Sequence, residues 1–322
     1  MVVKAELHCH IEGAAHPELV IEQSRKYNVD VSAIISPENE YIWHDFTSFL
    51  RAYDFSASLF RSPEDYSNLA IDIFQRLSDQ NSIYGEIFVS PDHAARIGCS
   101  YDELISSIGS GIETVKAKSG IEGRMIIVGV RHEGIEAVEK AALDAAKNPH
   151  PLVSGFGLAG DERVGRHKDF AKAFAIAKDA GLSLTGHAGE VCGAESVKEA
   201  IEQWGISRIG HGVRAIEDPD LVKRIADEGL VLEACPGSNI ALKVFPDFQS
   251  HPFPALMDAG CKMTLNSDDP PYFHTSLERE YEIAREYFGY SDEELLGITK
   301  TAIEAAFVDG ETRNRLLEKC TL

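Results

Sequence analysis

Eight short apolar runs, separated by amphipathic helical patterns, constrain this chain more than any other feature. The runs cover residues 4–10, 82–90, 124–130, 152–158, 182–187, 208–211, 231–235 and 262–266. Several are β-branched and nearly continuous, as strands buried on both faces of a parallel sheet must be. The intervening helices carry their own punctuation. Val197, Ile201 and Trp204 recur at i, i+4, i+7 and meet Gly205 at the C-terminal cap. Asp218-Pro219 reads as cap and first turn of the next helix, Leu221 and Ile225 as its apolar face, and Gly229 as its stop. Parallel strands need helical crossovers, and eight such units in one unbroken domain, residues 1–322, predict an α/β fold of the (β/α)8 TIM-barrel type. A doubly wound open sheet fits less well, because no G-x-G-x-x-G follows the first strand. Residues 17–81 are too long for one crossover, so extra helices are expected between the first and second strands, near the barrel mouth.

Composition narrows the function. With 31 Lys+Arg against 52 Asp+Glu, the formal charge of −21 repels nucleic acid and anionic membranes and leaves a small molecule as the expected partner. The six cysteines form no C-x-x-C pair, and no secretion signal is read, so reduced thiols and a cytoplasmic location are expected. No apolar run approaches the roughly 18 to 20 residues of a membrane span.

In such a barrel the reactive residues sit where strands end, on the C-terminal face. The ends read His8-Cys9-His10, Gly160-Asp-Glu162, His187-Ala-Gly-Glu190, His211-Gly212, Cys235-Pro-Gly-Ser-Asn239 and Asp268-Asp269. Alternate residues of a strand share a face, so the imidazoles of His8 and His10 converge while Cys9 turns away. His187 supplies a third nitrogen and Asp268 an oxygen, a donor set for zinc or another first-row divalent metal. A divalent cation lowers the pKa of bound water from about 15.7 to about 7, which makes a nucleophile available at neutral pH. Glu190 follows His187 across an Ala-Gly turn and is placed for proton transfer rather than for ligation. His211, flanked by glycines, is expected to face the same compact site as a catalytic group. In Asp268-Asp269 neighbouring side chains point differently, so one ligates and the other meets substrate.

These motifs, from His8-Cys-His-Ile-Glu-Gly13 through Leu158-Ala-Gly-Asp-Glu162 to Leu265-Asn-Ser-Asp-Asp-Pro270, occur in family order and resemble the adenosine/adenine deaminases among the metal-dependent hydrolases. The resemblance implies one zinc held by His8, His10, His187 and Asp268, and hydrolytic loss of a purine 6-amino group as ammonia. It implies that Glu190 protonates N1 of the ring and that His211 assists the attacking water. It further implies that His10, Glu12, Gly160 and Asp269 meet the substrate, Gly160 through its backbone at N3 and Asp269 as acceptor at N7. The unrelated zinc deaminases with H-x-E and P-C-x-x-C are excluded, because Cys235-Pro236 runs in the reverse order.

The substrate signals conflict. Members that act on adenosine commonly carry Asp, in contact with ribose, where this chain has Glu12. Glu12, with Asn266-Ser-Asp-Asp-Pro-Pro-Tyr272-Phe273, resembles the adenine branch; Ile209-Gly-His-Gly212 and Leu158-Ala-Gly-Asp-Glu162 resemble the nucleoside branch. The expectation set here is adenosine deaminase, with adenine or another 6-aminopurine nucleoside as the alternative. A barrel that binds metal without catalysis is the reading from a different class; the presence of Glu190, His211 and all four ligands argues against it.

Overall fold

The computed structural model describes residues 2–96 and 98–321. Its strands are β1 (Lys4–Glu6), β2 (Ser82–Val89), β3 (Glu122–Val130), β4 (Val153–Ala159), β5 in two pieces (Ser183–Leu184 and His187–Ala188), β6 (Arg208–His211), β7 (Val231–Ala234) and β8 (Lys262–Leu265). Each pairs in parallel with the next. The ring closes where Cys9 bridges Asp268, with His10 N donating to the Asp268 carbonyl at 3.1 Å and Asp268 N to the His8 carbonyl at 2.9 Å. This is the expected (β/α)8 barrel. Extra helices α1 (Pro17–Tyr27), α2 (Phe46–Ala57) and α3 (Pro63–Asp79) lie between β1 and β2, as the long first connection required.

The apolar patterning explains these elements. In β3 every residue from Met125 to Val130 is buried, because one face fills the barrel and the other meets helices. In α3 the buried Tyr66, Leu69, Ala70, Ile73, Phe74 and Leu77 form one helical stripe, and Ser62 caps the first turn by accepting from Asp65 N. Asp218 likewise accepts from the backbone N–H groups of Asp220 and Leu221, and Gly205 and Gly229 end their helices in the left-handed conformation.

Two strand boundaries differ from the sequence reading. The first run is a regular ladder only over Lys4–Glu6; beyond it, His8 to His10 are held by single bridges and by the side chain of Asn266, which accepts from Leu7 N and donates to the Ala234 carbonyl. The fifth run breaks at Thr185-Gly186, so His187 opens a second short piece instead of ending the strand. Both irregularities fall at candidate site residues, His8 and His10 in the first run and His187 in the fifth. The described chain contains no helix long and apolar enough to cross a membrane.

Candidate active site

Four side chains converge at the C-terminal mouth. His187 Nε2 lies 3.0 Å from His8 Nε2 and 3.2 Å from His10 Nε2. Asp268 Oδ1 lies 3.6 Å from His8 Nε2 and 3.4 Å from His10 Nε2. A tetrahedral cation with bonds near 2.1 Å separates adjacent donors by about 3.4 Å, so the four atoms fit one divalent ion. The far nitrogens support this. His187 Nδ1–H donates to the Leu158 carbonyl at 2.9 Å, which leaves its Nε2 lone pair free for a metal, and His8 Nδ1–H donates to Glu233 Oε2 at 2.7 Å. Burial opposes a charge on His8, but Asp268 and Glu233 raise its pKa to about 10, so a metal would displace the proton on its Nε2. Burial, then the neighbouring His8 and His10, hold His187 well below its ordinary pKa, so it stays neutral. All four residues are buried together.

Glu233 is itself anchored. Its Oε1 accepts from Arg208 Nε at 2.6 Å and from Thr185 Oγ1 at 2.8 Å, while Arg208 also reaches Glu86 at 2.6 Å and lies over the Phe307 ring. Burial opposes the charge on Glu233, but Arg208 and His8 outweigh it and hold the carboxylate ionised.

Backbone strain marks the same place. His211 (φ 58°) and Asp268 (φ 62°) adopt the left-handed conformation without being glycine, at a cost of order 1–3 kcal/mol each. The flanking glycines of His211 serve its neighbours. A Cβ on Gly210 would stand 2.9 Å from His8 Cε1 and 3.2 Å from His187 Cα, so this glycine makes room for His8 and His187 rather than for His211.

Glu190 is buried, with His211 Nε2 3.7 Å from its Oε1. Burial first, then the charges of Asp268 and Glu162, push its carboxyl well above the usual range, so Glu190 carries a proton. Its turn is held by Glu162, which accepts from the consecutive backbone N–H groups of Gly189, Glu190, Val191 and Cys192 and from Ser196. His211 is neutral, since burial lowers it to about 3.

A pocket of about 670 Å³, mouth included, opens beside these groups. It is lined by every sequence-predicted site residue except His8, which lies beneath it: His10, Glu12, Gly160, His187, Glu190, His211, Asp268 and Asp269. Phe46, Phe49, Leu50 and Tyr53 of α2 form its apolar wall. Glu12 is 1% exposed: Tyr53 OH donates to it at 3.2 Å, Tyr66 OH at 3.3 Å, and His93 Nδ1 stands 3.6 Å away. Burial disfavours a charged His93, but Asp54 and Glu12 on either side overcome it and raise its pKa to about 10. Asp269 Oδ1 and Ser90 Oγ are buried in this pocket without partners; such atoms call for a ligand.

Sequence reasoning gave no role to Glu162, Glu233 or His93. Glu162 stood inside a quoted motif, and Glu233 lies two residues before Cys235 on the inward face of a strand, so both left a trace. His93 left none.

The family model described as Adenosine deaminase matches residues 3–321. The chain belongs to that family. It is therefore a hydrolase that deaminates a purine, with a metal-binding donor set. The adenine deaminase of Mesorhizobium japonicum is 59% identical over 319 residues, covering 99% of this chain and 98% of its own, and that of Chelativorans sp. is 60% identical with the same coverage. The crystal structure of an adenine deaminase from Arthrobacter aurescens superposes with a TM-score of 0.92 at 25% identity, covering 99% of this chain and 98% of that one. On the choice between base and nucleoside, these relatives favour the alternative, adenine, over the adenosine expected from the sequence.

Proposed function

We propose that this protein is a cytosolic adenine deaminase, converting adenine and water to hypoxanthine and ammonia. Near-60% identity along the whole chain to proteins named adenine deaminase carries the reading, and Glu12 supplies its physical basis. Its carboxylate accepts from two tyrosines and faces a cationic histidine, so the protein's own groups fix it in the pocket wall. The apolar wall from α2 lines the same pocket as Glu12.

Zinc suits the three imidazoles and one carboxylate, and when bound it supplies Lewis acidity and an activated water. The other steps belong to the chain. Glu190, held protonated, delivers its proton to N1 as the water oxygen adds to C6. The added oxygen then gives up both of its protons, one to the Glu190 carboxylate and one to the departing amino group, so the C6–N6 bond breaks, ammonia leaves and hypoxanthine keeps the N1 proton. His211, neutral, faces the carboxyls of Glu190 and Asp268 and steadies the oxygen at C6. Burial and the charge of Asp268 keep Asp269 neutral, which turns the acceptor expected at N7 into a donor to the N7 lone pair. The backbone at Gly160 meets N3.

Ammonia release from adenine, adenosine and deoxyadenosine, measured side by side, tests this. Adenine is expected to have the highest kcat/KM by at least about 10²-fold, the scale on which a filled pocket rejects an extra group. A preference for adenosine would overturn the reading.

A further inference from the structure

We propose that Asn239 and His251 are positioning residues that fix the proton of His211 on Nε2, through a one-way hydrogen-bond relay that begins at a backbone amide. The relay runs behind the pocket. Phe253 N lies 3.2 Å from His251 Nδ1, His251 Nε2 lies 3.1 Å from Asn239 Oδ1, and Asn239 Nδ2 lies 3.3 Å from His211 Nδ1. Each link dictates the next. A backbone N–H only donates, so His251 Nδ1 is bare and its proton sits on Nε2. That N–H needs an acceptor, which only the oxygen of the Asn239 amide provides. The amide NH2 therefore faces His211 and donates to Nδ1, which leaves the His211 proton on Nε2. That N–H points into the site, 3.7 Å from Glu190 Oε1 and 3.8 Å from Asp268 Oδ2.

Nothing in the relay is free to turn over. His251 is 3% and Asn239 0% exposed. The His251 ring sits between Phe245, at 5.2 Å, and Phe288, stacked at 5.7 Å. Burial keeps His251 neutral, with its pKa down to about 3, so it does not become a double donor. The consequence for chemistry is directional. His211 gives a hydrogen bond to oxygen in the site and does not take a proton from it, so it acts as an electrostatic donor and not as a base. The relay is independent of which purine the pocket accepts.

The test uses the metal-loaded enzyme labelled with 15N-histidine. Among the twelve histidines, the His211 signals are assigned by their loss in His211→Asn, and long-range 1H–15N correlations report which nitrogen carries the proton. The wild type is expected to show Nε2–H. Asn239→Asp offers Nδ1 only acceptors, so it should move the proton to Nδ1 and lower kcat by about 10²- to 10⁴-fold, the range for misdirected proton chemistry, with KM little changed. His251→Gln keeps a donor toward Asn239 and should preserve Nε2–H and kcat within a few-fold; His251→Leu removes the donor, frees the amide, and should yield mixed tautomers with reduced kcat. An Nδ1–H proton in the wild type would overturn the proposal. So would an unchanged tautomer in Asn239→Asp, or identical spectra and rates for His251→Gln and His251→Leu.

Discussion

His187 and His211 stand on neighbouring strands, both buried, with ring centroids 5.3 Å apart. They carry the same imidazole and opposite proton arrangements. Behind His187 lies a carbonyl, Leu158 O, which takes the Nδ1 proton and leaves Nε2 bare for a cation. Behind His211 lies an amide NH2, which gives to Nδ1 and leaves Nε2 as a donor. The difference teaches that the role of a histidine in this mouth is set by the partner of its far nitrogen, not by its place at a strand end. His8 follows the first pattern, with Glu233 in place of the carbonyl.

The sharpest way to break the comparison is to delete a ligand. His187→Ala is expected to abolish measurable turnover and bound metal while circular dichroism still shows a folded barrel. Stoichiometric metal in that variant would contradict the assignment of His187 to the cation side.

Glu190→Gln acts on the donor side. It should retain metal but lack a proton for the ring, so kcat is expected to fall by about 10²- to 10⁴-fold. Metal content near wild type together with that loss separates chemistry from ligation; unchanged turnover would remove Glu190 from the proton path.

A smaller effect is expected one bond further out. Glu233→Gln neutralises the acceptor of His8 Nδ1–H and also weakens the Arg208 anchor. Metal affinity, read by competition with a chelator, should fall by about 10- to 100-fold. An affinity equal to wild type would show that the partner of the far nitrogen does not tune its ligand.

The sequence made one side of this comparison legible and hid much of the other. The ends of the apolar runs put His8, His10, His187 and Asp268 forward as one candidate donor set, and the four side chains do come together, although His8 and His10 lie beyond the regular ladder and His187 opens its strand piece. Glu190 and His211 were reachable in the same way. The partners behind them were not. Glu162 holds the turn of Glu190 from 28 residues away in the chain, and His251 comes from a turn that no periodicity marks. The break in β5 was equally hidden, since an apolar run does not show where its ladder opens to aim His187. Glu12 was seen, but its two tyrosines and His93 come from three different helices, so whether it reads a sugar or closes the pocket depends on packing that spacing alone does not encode.

The most direct test of the comparison is the metal content of His211→Asn, measured by elemental analysis beside wild type and His187→Ala after the same zinc reconstitution. The fourth imidazole presents a proton to the site, so His211→Asn is expected to keep about one metal per chain, as in wild type, while turnover falls. Loss of metal from His211→Asn to the level of His187→Ala would contradict the division of these histidines by the partner of their far nitrogen.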